Sequence, residues 1–111
     1  MSETLVRVCA TADVAVDSVK AIEAGGEMLA VYNVGGTFYV TNDACTHGAA
    51  SLAAGVLEGD VIECAMHFGA FHIPTGKAVQ APCSIPVRTY KVMVRGNDVF
   101  IDPDQSADAA G

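Results

Sequence analysis

Short runs of hydrophobic residues, many of them β-branched or aromatic, recur along the chain and predict strands rather than helices. These runs lie at 28–34, 37–41, 61–64, 87–95 and 98–101. Only the segment 49–54 has the composition of a helix, and it is too short for more than a turn or two. The pattern therefore predicts an all-β fold.

Two pairs of turn residues separate neighbouring runs. Gly35-Gly36 separates the first run from the second, and Gly96-Asn97 separates the last two. Such pairs supply the positive φ angles that a two-residue hairpin turn requires. We therefore expect two antiparallel hairpins, one on each side of a stretch that differs in amino-acid composition.

That stretch, 43–76, contains all three histidines of the chain and few β-branched runs. It predicts a small loop-rich subdomain inserted into the β scaffold. At 111 residues and 11.4 kDa the chain has room for one domain, which we place at 1–102. Residues 103–111 are small and polar, so we expect a flexible C-terminal tail.

Composition and charge narrow the classes of function. Hydrophobic residues make up 51% of the chain and charged residues 17%, enough to form a core. The net charge of -7 disfavours nucleic acid and anionic membrane surfaces as partners. No apolar run reaches the roughly 20 residues of a membrane span, and the start lacks a basic signal, so we expect a cytoplasmic protein. In such a protein, four cysteines indicate metal or redox chemistry.

Two short segments carry the candidate chemistry, Cys45-Thr-His47 and Cys64-Ala-Met-His67. Each offers one thiolate and one imidazole, whereas zinc fingers usually pair two cysteines from one loop with two histidines from a helix. This symmetry points to two metal ions. If the thiolates hold one iron and the imidazoles the other, a [2Fe-2S] unit clamps the two loop tips together. A single zinc ion on the same four residues is the alternative.

The segments CTHG and CAMHFGAFHIPTG, with GVLEGDVIEC before the second and TGKAVQAP and VFID after it, resemble a known family. They are similar to the small Rieske [2Fe-2S] ferredoxins of bacterial aromatic-ring-hydroxylating dioxygenase systems, of the naphthalene and biphenyl type. The resemblance implies one Rieske cluster with Cys45 and Cys64 as cysteine ligands and His47 and His67 as histidine ligands. It also implies that Pro82 lies in a loop covering the cluster. The implied Rieske fold is an antiparallel β scaffold, sandwich or barrel, that holds a cluster-binding subdomain.

The function that the resemblance implies is electron transfer without catalysis. Such a carrier takes single electrons from an NADH-dependent flavoprotein ferredoxin reductase. It delivers them to a terminal oxygenase that contains a Rieske centre and non-haem iron, and we expect it to be a monomer. Two alternatives stay open: a small Rieske-type subunit of another oxidoreductase, such as a nitrite-reductase-like assembly, and a zinc-stapled binding module.

The family's respiratory branch has an extra cysteine in each ligand loop, and a Ser and a Tyr hydroxyl that donate hydrogen bonds to sulfur. The matching positions of the two hydroxyls here are Gly69 and Phe71. Donors to sulfur stabilise the reduced cluster, which carries more negative charge, and so raise its potential. We therefore expect a potential near the negative end of the Rieske range of roughly -150 to +300 mV.

Other residues near the motif have alternative interpretations. We expect His72 to be a surface or supporting group, and Cys9 and Cys83 to be small buried hydrophobic residues. An apolar patch that shields the cluster and contacts redox partners is predicted from Ala49, Met66, Phe68, Phe71 and Pro82. Four acids, Asp43, Glu58, Asp60 and Glu63, predict an acidic face that is solvated or steers a basic partner.

Overall fold

Strands form nearly all of the regular structure in the computed structural model, which describes residues 5–44, 50–65, 69–81 and 85–106. The strands are β1 (Val6–Ala10), β2 (Ser18–Ala24), β3 (Glu27–Val34), β4 (Thr37–Asn42), β5 (Val56–Glu58), β6 (Val61–Glu63), β7 (Ala70–His72), β8 (Ala78–Gln80), β9 (Thr89–Arg95) and β10 (Asp98–Asp102). Two single-turn 3₁₀ helices lie at Thr11–Asp13 and Leu52–Ala54. The all-β prediction is confirmed. Within these ranges, no helix has the length and apolar character needed to cross a bilayer.

The larger sheet has six antiparallel strands in the order β1-β10-β9-β4-β3-β2. Its two edge strands approach each other: a Cβ placed on Gly25 would lie 3.7 Å from the Val6 side chain. The sheet therefore curls into a nearly closed barrel. A β-bulge between Arg7 and Cys9 interrupts the pairing of β1 with β10 and bends the edge strand.

Both predicted hairpins are present. Val34 pairs with Thr37 across Gly35 and Gly36, and both glycines have positive φ. Arg95 pairs with Asp98 across the second turn, where Gly96 has a φ of 62° but Asn97 does not adopt a positive φ. The second turn thus needs a left-handed residue only at its first position, as in type II′ turns.

The smaller sheet has four antiparallel strands in the order β5-β6-β7-β8, each three residues long. It lies largely within 43–76, so this segment contains more strand than its sequence indicates. Three-residue strands are too short to show an alternating pattern, which explains why only β6 is visible as a hydrophobic run.

Strand β3 separates two apolar clusters. Its residues Leu29 and Val31 face the cluster inside the barrel, whereas Ala30 and Tyr32 face the cluster beneath the smaller sheet. The second of these is called here the inter-sheet core, and its buried members are Ala30, Tyr32, Leu52, Ile62, Cys64, Phe71, Ile73 and Val87. Burial on both faces explains the continuous hydrophobic run of β3.

The chain beyond β10 remains attached to the barrel for several residues. The Lys91 amide donates to the Gln105 carbonyl at 3.0 Å, and the Arg88 guanidinium donates to the Pro103 carbonyl. The described chain is thus held past residue 103, where we expected the tail to begin. Residues 107–111 lie outside the described residues.

Candidate metal centre

The first predicted ligand loop is closed at its base by backbone pairing. Ala44 and Ser51 form an isolated antiparallel bridge. Next to it, the Leu52 amide donates to the Asp43 carbonyl at 2.7 Å. Cys45 and His47 belong to the segment enclosed by this bridge and lie outside the described residues.

The second predicted ligand loop connects β6 to β7 and is closed in the same way. Glu63 pairs with Ala70, and the Cys64 amide donates to the Gly69 carbonyl at 2.7 Å. Cys64 is 2% exposed, and His67 lies outside the described residues. Cys64 therefore lies at the paired base of its loop, and in the sequence Cys45 directly follows Ala44, the paired residue at the base of the other loop.

The bases of both loops rest on the inter-sheet core. Leu52, just after the first loop, is fully buried there with Ile62 and Cys64 from the second, and Ala50 packs against the same cluster. Common packing of this kind brings the two loop bases to one region of the molecule. Of the four predicted ligands the structure describes only Cys64, so the complete set remains a prediction.

The described residues fit a cluster held by thiolates and imidazoles. The Cys64 side chain is nearly inaccessible to water and lies among apolar neighbours, including Phe71, which is 0% exposed. An apolar shell of this kind controls solvent access and tunes the potential of a metal site. Neither Gly69 nor Phe71 carries a hydroxyl, which preserves the expectation of a low potential.

The His72 ring, at the end of β7, is hydrogen-bonded to one residue of the β5–β6 turn and to one residue of the β7–β8 connection. Its Nδ1 lies 2.8 Å from Thr75 Oγ1, and its Nε2 lies 3.0 Å from Asp60 Oδ2. Both ring nitrogens are therefore occupied by oxygen partners. This agrees with the expectation that His72 is a supporting surface group.

Cys9 lies in the barrel core on β1, away from both loops. Burial, with a smaller contribution from the nearby Asp13 carboxylate, raises the pKa of the Cys9 thiol. A thiol that stays protonated is a poor metal ligand, so the expectation of a small hydrophobic residue is supported. Cys83 lies outside the described residues.

The predicted contact patch is largely untested. Of its members the structure describes only Phe71, which is buried; the others, Ala49, Met66, Phe68 and Pro82, lie outside the described residues. Ile85, which follows the predicted covering loop, is 61% exposed. It is an apolar surface residue that the sequence analysis did not single out.

The acidic face predicted from four carboxylates requires one correction. Asp43 is 6% exposed, and its carboxylate accepts hydrogen bonds from Ser51 and Ala53. Glu58 and Asp60 are exposed, and Glu63 is half-buried. Asp43 is therefore a structural group, and nothing in its immediate sequence indicates this because both of its partners are distant along the chain.

Comparison with known proteins decides the family. A family model described as the Rieske [2Fe-2S] domain matches residues 4–91. The chain belongs to this family. The predicted cofactor, one [2Fe-2S] cluster of the Rieske type, is confirmed with it.

Relatives of this Rieske chain are ferredoxins. Ferredoxin CarAc of Metapseudomonas resinovorans is 42% identical over 102 residues, covering 91% of this chain and 95% of its own. The ferredoxin component of biphenyl 2,3-dioxygenase from Rhodococcus jostii (strain RHA1) is 41% identical over 98 residues, with 88% and 92% covered. A chain in the solved complex of reduced oxygenase and oxidized ferredoxin in carbazole 1,9a-dioxygenase superposes with a TM-score of 0.86. It is 40% identical, with 95% of this chain and 98% of that chain covered.

Proposed function

We propose that this Rieske protein is the electron carrier of an aromatic-ring-hydroxylating dioxygenase system. It accepts single electrons from an NADH-dependent flavoprotein ferredoxin reductase and passes them to the terminal oxygenase. It does so as a cytoplasmic monomer. The observation that carries the proposal is the common packing of both ligand-loop bases on the inter-sheet core, with Cys64 buried in it. The relatives named as ferredoxin components support the same role.

In this proposal Cys45 and Cys64 would hold one iron, and His47 and His67 would hold the other. When bound, the cluster supplies one-electron redox chemistry. The chain itself supplies two loops whose bases are fixed to the scaffold by backbone pairing, Ala44 with Ser51 and Glu63 with Ala70. It also supplies the apolar shell that excludes water from the Cys64 side.

The surface around the loop tips suits brief encounters with two partners. We assign the apolar contact to Ala49, Met66, Phe68 and Pro82, together with the exposed Ile85. Redox encounters typically bury less than about 1,200 Å² in total, so a few apolar side chains can supply much of such a contact. The exposed acids Glu58 and Asp60 lie on the neighbouring β5–β6 hairpin, where they can attract a basic partner.

Metal analysis and spectroscopy test the cofactor part of the proposal. The purified protein should contain about two irons and two labile sulfides per chain and give a Rieske EPR signal when reduced with dithionite. His47→Ala and His67→Ala should each abolish that signal, whereas His72→Ala should keep it. A colourless protein with one zinc ion and no sulfide would establish the zinc-stapled module instead.

Reconstituted electron transfer tests the functional part. With a ferredoxin reductase, NADH and the cognate oxygenase, aromatic hydroxylation should depend on the concentration of this chain. His47→Ala should abolish the dependence. Stable co-purification with a large oxidoreductase subunit, and no transfer to an oxygenase, would favour the alternative of a resident small subunit.

A further inference from the structure

Asp43 is buried, and each oxygen of its carboxylate accepts a hydrogen bond. Its Oδ2 accepts the Ser51 hydroxyl at 2.6 Å, and its Oδ1 accepts the Ala53 amide at 2.9 Å. Its backbone carbonyl accepts the Leu52 amide, and its own amide donates to the Met28 carbonyl at 3.1 Å. A buried charge is tolerated only when such bonds replace its lost water, so this arrangement specifies one geometry.

These bonds join the two ends of the first ligand loop. Asp43 lies two residues before Cys45, and its partners lie after the loop, on the 3₁₀ turn Leu52–Ala54 and at the residue that precedes it. The carboxylate therefore links the chain entering the loop to the chain leaving it.

The same turn contacts the base of the second loop. Gly55, which ends the turn, has an ordinary φ of -85°, so the glycine is not needed for backbone conformation. It is needed for space, because a Cβ at this position would collide with the Glu63 carbonyl. Glu63 immediately precedes Cys64. The turn thus lies directly between the two loop bases.

We propose that Asp43, Ser51 and Gly55 form a brace that sets the separation of the two ligand loops, with Asp43 as its positioning residue. This inference rests on the ligand set of the proposed function. Because each loop contributes one thiolate and one imidazole, their separation determines how well the four ligands fit the cluster. Residues that support metal ligands typically change metal affinity about 10- to 100-fold when removed.

Asp43→Ala in the cluster-loaded protein is the central variant. We expect cluster loss in the presence of an iron chelator, followed by visible absorbance, to become about 10- to 100-fold faster. Hydrogen exchange of the peptide covering 50–55 should also become faster. Asp43→Asn retains an acceptor for the Ala53 amide and should give an intermediate rate.

Asp102→Ala is the matched control. Asp102 is 7% exposed, and its Oδ1 accepts the Asp104 amide at 2.9 Å, but it lies on β10 in the barrel. We expect this variant to lower the melting temperature without changing the rate of cluster loss or the EPR g values. Equal effects of Asp43→Ala and Asp102→Ala on cluster loss would overturn the brace.

Ser51→Ala is a milder variant that keeps the test decisive if Asp43→Ala does not fold, and Gly55→Ala separately tests the contact between the turn and the second loop base. Ser51→Ala removes one hydrogen bond, and combined with Asp43→Asn it should have a less than additive effect. Gly55→Ala should shift the EPR g values, whereas Ala54→Ser, a similar addition at the exposed neighbour, should not. Unshifted g values in Gly55→Ala would overturn the brace, whereas absence of iron and sulfide from the unmodified protein would overturn the proposed function.

Discussion

Leu52→Ala removes the side chain that joins the first ligand loop to the inter-sheet core. Leu52 is 0% exposed and packs with Ile62 and Cys64, so the substitution leaves a cavity between the two loop bases. Leucine-to-alanine substitutions at fully buried positions cost about 3–4 kcal/mol, depending on how far the surroundings relax. This is a large fraction of the roughly 5–15 kcal/mol that stabilises a typical domain.

Leu57→Ala is the matched comparison because Leu57 packs against the same inter-sheet core but is only partly buried. We expect about half the cost, roughly 1–2 kcal/mol. For a domain of this size each kcal/mol corresponds to roughly 4–8 °C in melting temperature. The melting temperature should therefore fall by about 12–32 °C in Leu52→Ala and by about 4–16 °C in Leu57→Ala, with the larger fall in Leu52→Ala.

Far-UV circular dichroism of the cluster-loaded proteins, heated at one fixed scan rate, provides the measurement. Visible absorbance recorded in the same scan reports cluster loss, which should begin at a lower temperature in Leu52→Ala than in Leu57→Ala. The reasoning would be refuted if the two variants melted together or if Leu57→Ala were the less stable. Either result would mean that the packing of Leu52 in the inter-sheet core does not stabilise the two loop bases.

Substitutions at Phe71, Tyr32 and Glu58 test three other features. Phe71→Tyr introduces a hydroxyl into the inter-sheet core, which also contains Cys64. A hydroxyl that donates to sulfur should raise the reduction potential, measured in an EPR redox titration, by roughly 50 mV, equivalent to about 1 kcal/mol. An unchanged potential would contradict the low-potential argument. Burial raises the pKa of the Tyr32 hydroxyl in the folded protein. Above about pH 10 the unfolded chain loses this proton while the folded protein keeps it, so the free energy of unfolding falls as the pH rises. Tyr32→Phe should weaken the alkaline decline in urea stability by about 1.4 kcal/mol per pH unit, and equal slopes would refute the assignment. Glu58→Gln should lower the rate of oxygenase reduction at low salt and weaken its salt dependence, whereas a rate that salt does not change would leave Glu58 a simple solvated charge.

Elements whose signals are local could be predicted from the sequence. The Gly35-Gly36 turn has its own backbone requirement. The proposed ligand motifs are also contiguous, and the structure describes only Cys64 of their four ligands. Strand β3 is buried on both faces, so its hydrophobic run is unbroken. Edge strands are different: β2 mixes Lys20 and Glu23 with apolar residues because much of it faces solvent, and the bulge in β1 breaks its alternation.

The geometry behind the ligand motifs could not be predicted in the same way. Asp43 lies in a segment without Lys or Arg and resembles a solvated surface acid, because the partners of its buried carboxylate are eight and ten residues away. Gly55 resembles an ordinary loop glycine until Glu63 is placed against it. The residues proposed to bind the cluster and the residues proposed to set the distance between its ligands are therefore different sets. Only the first set forms a pattern along the chain. The residues of the second set come together only when Leu52 packs into the inter-sheet core.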